Sequence, residues 1–184
     1  GAMKGGFGAA VAGAAGARRA ALAVVNAFGD VRDAAGRILA GARGPGGAFV
    51  DTARRLVGAT DDTDDEGPAR AASPFAGGPA PLTNTTLAVV ALPVALDRVA
   101  LRQVAHAATA ALQRRITPCG TTFDGDVVFA TCPIPTAEAP PVTDAARLLA
   151  LEATATAALE RAIECAVRHA VGRDGVPGLA DPAR

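Results

Sequence analysis

Pro81-Leu82-Thr83-Asn84-Thr85-Thr86-Leu87-Ala88-Val89-Val90-Ala91 is the stretch on which the reading of this chain turns. Small polar residues open onto a short apolar run of Leu, Val and Ala. A run of that length, bounded by turn residues, predicts a buried β-strand from Thr86 to Leu92. Upstream, a Pro/Gly-rich connection from Ser73 to Pro81 ends a linker predicted over residues 58–81. A Thr at the mouth of a buried strand, just after an exposed linker, is placed to cut its own chain. Its hydroxyl can attack the Asn84 carbonyl, and water can release the resulting ester, leaving Thr85 as a new N-terminus. The freed α-amine then sits beside its own hydroxyl and can act as general base. With a reference pKa of about 7.7–8.0, a useful fraction of that amine is neutral near pH 7, without a histidine. The same Asn-Thr-Thr also suits an ordinary polar strand entry, where turn residues commonly stand.

The rest of the chain bounds this reading. Its 184 residues, half of them hydrophobic, fit a single domain over 1–184. Basic and acidic residues balance at 18 each, and no clustered basic face suggests a nucleic-acid partner. There is no Tyr or Trp and only six Phe, so the core must be built from Ala, Val, Leu and Ile. Cys119, Cys132 and Cys165 show no paired spacing and read as reduced thiols, which points to a cytoplasmic setting. His106 and His169 stand far apart without ligand spacing, so no metal is expected. No run of 18 apolar residues predicts a membrane span. Gly1-Ala2-Met3 reads as a tag-removal scar or as native sequence, and no signal peptide is visible.

In chain order, Lys4-Gly5-Gly6-Phe7-Gly8 reads as a glycine-rich turn, without the context of a dinucleotide site. Residues 18–28 predict a strand carrying Asn26 inside its apolar run. A buried Asn needs hydrogen-bond partners; it can pair with neighbouring backbone or aim an amide N–H at an oxyanion. A turn over 33–37 precedes a second strand over 38–43, a loop at Gly44-Pro45-Gly46-Gly47, and a short helix over 51–57. The acidic run over 60–67 reads as a solvated, mobile segment. Asp97 is placed to cap a helix over 98–115, whose apolar positions recur near period 3.6. Asp124-Gly125-Asp126 precedes a strand over 127–132. The pair reads either as an ordinary turn or as carboxylates that hold a nucleophile's amine and hydroxyl. Thr143 or Asp144 caps a long helix to about Val171, and the tail over 172–184 reads as loose.

Taken together, five stretches resemble the L-aminopeptidase/D-esterase (DmpA-like) family of self-cleaving peptidases, which includes the β-aminopeptidases. They are Lys4-Gly-Gly-Phe-Gly, Ala-Val-Val-Asn26-Ala-Phe-Gly, Gly-Arg-Ile-Leu-Ala-Gly-Ala-Arg43, Asn84-Thr85-Thr86-Leu-Ala-Val-Val-Ala and Phe123-Asp124-Gly-Asp126-Val-Val-Phe-Ala. The resemblance implies an α+β fold, a four-layer αββα sandwich shared with the ornithine acetyltransferases, here lacking its N-terminal part. It implies cleavage between Asn84 and Thr85 into two chains that stay together, with Thr85 as nucleophile and Asn26 as oxyanion donor. Asp124 and Asp126 match the family's polar pair beside the nucleophile. It further implies a homo-oligomer of cleaved two-chain units that acts, without cofactor, on a short peptide or small amide. Two alternatives remain: acyl transfer of the acetyltransferase type, and an inactive truncated member. One departure is Ala91-Leu92-Pro93, where relatives often read Thr-Asp-Ala.

Overall fold

Strand alternation of small inward residues with larger outward ones builds the main sheet. The computed structural model describes residues 1–14, 18–61 and 84–182. In chain order the elements are β1 (Gly6–Ala12), β2 (Arg19–Val25), β3 (Asp30–Arg32), β4 (Ile38–Ala40) and α1 (Thr52–Asp61). They continue as β5 (Leu87–Ala91), α2 (Arg98–Arg115), β6 (Ile116–Thr117), β7 (Val127–Thr131) and α3 (Ala145–Arg168). The main sheet has the order β1-β2-β5-β7, and a smaller one has the order β4-β3-β6. β1, β2 and β5 pair antiparallel, whereas β5 and β7 run parallel, so α2 lies in the crossover between them.

On the inner face, Ala21, Ala23, Val25, Ala88 and Val90 are buried beneath the helices. α3 crosses β1 and β2 with Ala155, Ala158, Ala162 and Ala166 buried along its length. Small side chains on both partners let backbones approach, which is how a core almost without aromatics closes. The approach is tight at Gly8: a Cβ built there would lie 2.1 Å from the Ala162 carbonyl oxygen and 2.4 Å from the Ala166 nitrogen.

The glycine-rich segment expected as a turn is therefore the start of strand β1. Its glycines at 6 and 8 fall on the helix side by period-2 alternation. Other boundaries also move. β2 ends at Val25, so Asn26 stands just past the strand and is exposed rather than buried. β3 is a three-residue strand with no expected counterpart, and the strand expected over 38–43 shrinks to Ile38–Ala40. α1 runs on to Asp61, so residues 58–61 of the expected linker are helical; its remainder, with most of the acidic run, lies outside the described residues.

Asp97 caps α2 by accepting from the Ala100 N–H, and Asp144, not Thr143, caps α3 by accepting from the Arg147 N–H. α3 stops at Arg168. The tail expected to be loose is tied down by Asp181, whose carboxylate accepts from the Gly172 and Gly178 N–H groups. Lys4 is anchored to the same tail by its N–H, which donates to the Pro177 carbonyl at 2.8 Å.

The small sheet is held by a buried carboxylate. Asp30 accepts from the Ala42 N–H, the Thr52 N–H and the Thr52 hydroxyl, which ties β3 to the start of α1. The outer face of the main sheet is different. Phe7, Val11, Leu22, Val24, Leu87 and Phe129 project from it with 43–60% of their surface exposed. In a four-layer αββα sandwich this is the face a second large sheet occupies; the described residues supply the helix layer and the sheet beneath it. Among the described residues no helix is long and apolar enough to cross a membrane.

Candidate active site

The parallel pairing of β5 with β7 continues upstream of both strands and builds the site. Leu87 pairs with Val127, and an isolated bridge joins Asn84 to Asp124. Between them, the Val127 N–H donates to the Thr86 carbonyl at 3.0 Å, and the Gly125 N–H donates to the Asn84 carbonyl at 2.9 Å. The Asp-Gly-Asp segment thus lies alongside Asn84-Thr85-Thr86 in register. On the other side, the Thr85 N–H donates to the Asn26 carbonyl at 2.8 Å. The peptide bond between Asn84 and Thr85 is therefore held at both its oxygen and its nitrogen. The rings of Phe28 and Phe123, 6.0 Å apart, pack the loop after β2 against the loop before β7.

Thr85 is half-buried, with Thr86 fully buried behind it. A Cβ built on Gly125 would lie 2.7 Å from the Thr85 Oγ, so the hydroxyl faces a position that only a glycine leaves open. Asp126 does not bond Thr85 itself. One of its oxygens accepts from the Thr86 N–H at 2.6 Å and the other from the Cys119 thiol at 3.4 Å. Asp124 closes its own turn by accepting from the N–H and hydroxyl of Thr121, both at 2.8 Å. The four expected site residues, Thr85, Asn26, Asp124 and Asp126, thus come together, but through contacts the sequence does not display. Asn26 reaches Thr85 through its backbone carbonyl. The Gly125 N–H and the Cys119 thiol are further parts of the site. The glycine between the two aspartates was the one visible signal for the first.

A cavity of about 310 Å³ opens beside this bond, lined in part by Lys4, Gly5, Val25, Asn26, Phe28 and Asn84. Cys119 is a free thiol. Burial pushes it up to about 12, and its hydrogen bond to Asp126 and the charges of Asp126 and Asp124 act in the same direction. Alkylation requires the thiolate. Cys119 is therefore expected to escape iodoacetamide in the folded protein at about pH 9, where an ordinary thiol ionises, and to react once the chain is unfolded. Peptide mass mapping checks this, and labelling of Cys119 in the folded chain would contradict it.

The family model for peptidase family S58 matches residues 1–179. The chain belongs to peptidase family S58. A curated relative, an uncharacterised aminopeptidase of Mycobacterium leprae, is 34% identical over 195 residues; the match covers 96% of this chain and 48% of the relative. The S58 chain thus spans about half the length of that relative. Solved structures share the fold, two peptidases among them. A β-aminopeptidase of a Burkholderia species matches with a TM-score of 0.53 and 20% identity over 90% of this chain and 42% of its own. The L-aminopeptidase D-Ala-esterase/amidase of Ochrobactrum anthropi, a prototype of the serine aminopeptidases, matches with a TM-score of 0.51 and 21% identity over 96% and 43%. That protein has a variant of the Ntn-hydrolase fold, and this S58 chain has the same α+β architecture.

Proposed function

We propose that this S58 chain is an N-terminal-nucleophile hydrolase that cuts itself between Asn84 and Thr85. It then releases the N-terminal residue of short peptides, or cleaves a small amide, through an acyl-threonine intermediate. The observation that carries this reading is the clamped peptide bond, with the Gly125 N–H on its carbonyl oxygen, the Asn26 carbonyl on its nitrogen and the Thr85 hydroxyl beside Gly125. In this reading Thr85 is the nucleophile, where the Ochrobactrum protein is a prototype of serine aminopeptidases. After the cut, the Thr85 α-amine keeps the Asn26 carbonyl as an acceptor and takes the proton from its own hydroxyl as a substrate carbonyl is attacked.

The Asn26 amide is assigned to the substrate oxyanion, a role in which loss of one donor typically costs about 10²–10³ in rate. Asp126 fixes the strand entry through Thr86, and Asp124 fixes the turn that carries Gly125. The free thiols fit a reducing, cytoplasmic setting.

The test is turnover by the processed protein on dipeptides and aminoacyl p-nitroanilides. The expected result is release of the N-terminal residue from substrates with a free amine, with N-acetylated versions left intact. Processed protein that turns over neither peptides nor small amides would overturn the proposal.

A further inference from the structure

We infer that the backbone N–H of Gly125 is the oxyanion donor for self-cleavage. The inference rests on the proposed cut at Asn84 and names the group that stabilises its transition state. The step begins when the Thr85 Oγ attacks the Asn84 carbonyl carbon. The carbonyl π pair moves onto its oxygen, and the Gly125 N–H already donates to that oxygen at 2.9 Å. The hydroxyl proton passes to the Thr85 nitrogen as the C–N bond breaks, giving an ester and a free amine. Water then hydrolyses the ester, which leaves Asn84 with a carboxylate and restores the hydroxyl. The leaving nitrogen stays against the Asn26 carbonyl, 2.8 Å away, which accepts a hydrogen bond from the amine as it forms.

Two features make this donor preorganised rather than incidental. First, the bond continues the parallel ladder between β5 and β7, so it is fixed by the register of two strands and not by one side-chain rotamer. Second, the residue that carries it stands beside Thr85 where a Cβ would meet the nucleophile, at 2.7 Å from the Oγ. A glycine there admits the hydroxyl and supplies the N–H at once. A donor fixed before charge develops needs no reorganisation during the step.

The test removes the N–H alone. The full chain is made by cell-free translation with glycolic acid at position 125, so that an ester oxygen replaces the nitrogen. A second chain carries the α-hydroxy analogue of threonine at position 122, an exposed turn residue. Cleavage at 84/85 is followed by intact mass, and folding by circular dichroism. The expected result is cleavage slowed about 10²–10³-fold by glycolate at 125, with the position 122 ester near the unmodified rate. Cleavage at the unmodified rate with glycolate at 125 overturns the inference and leaves the proposed function standing. Equal slowing at both positions assigns the effect to the ester backbone and also overturns it. An unmodified chain that never cuts overturns the proposed function, and the inference falls with it.

Discussion

Thr85→Ala is expected to yield a single uncut chain with no turnover of peptides or small amides. Loss of a catalytic nucleophile costs on the order of 10⁶ in rate, and in the proposed mechanism the same hydroxyl serves both the cut and the later reaction. Intact mass reads the first effect and substrate turnover the second. The fold should hold, because the buried neighbour Thr86 keeps its N–H on Asp126 and the strand pairing beyond it is unchanged. Thr85→Ser should restore cleavage in part. It keeps the hydroxyl but loses the β-branching that restricts χ1. A Thr85→Ala chain that still breaks at Asn84 would remove Thr85 from the mechanism.

Gly8→Ala is expected to be the most damaging small change to the fold. The added methyl would sit 2.1 Å from the Ala162 carbonyl oxygen and 2.4 Å from the Ala166 nitrogen, so it meets helix backbone rather than a side chain that can rotate. α3 must lift away from β1, and its buried alanines lose their contacts with the sheet. Overpacking of this kind typically costs about 1–3 kcal/mol, and the backbone position of the clash places Gly8→Ala at or above the upper end. Urea unfolding measures it as a fall in midpoint at unchanged slope. A midpoint equal to that of the unsubstituted chain would show that α3 does not ride on β1 as described.

These two sites also show what the sequence carries and what it does not. α2, α3, β5 and β7 are legible because their patterns are local: apolar residues near period 3.6 after a capping Asp, or short apolar runs between turn residues. β1 is not, because glycine reads as a turn residue until α3 is known to lie on it. β3 has only three residues, too few to show a period. The tail over 172–182 holds its place through the Asp181 carboxylate and the Lys4 N–H, the second a contact between opposite ends of the chain.

At the site, residue types point to Thr85, Asn26, Asp124 and Asp126, but their mode of contact depends on the register between β5 and β7. That register places Asn84 opposite Asp124, far along the chain. It turns the glycine between the aspartates into a donor and turns Asp126 toward Thr86 instead of Thr85. Asn26 reads as buried because it follows an apolar run; alternation from buried Val25 puts it on the outside, with its carbonyl toward Thr85.

In the proposed mechanism Thr85 becomes the first residue of its own chain. Intact mass of the purified protein, with N-terminal sequencing of each species, tests it most directly. Two species are expected, residues 1–84 and residues 85–184, the second beginning Thr-Thr-Leu-Ala-Val. A single species of 184 residues, or a break at any other bond, would contradict it.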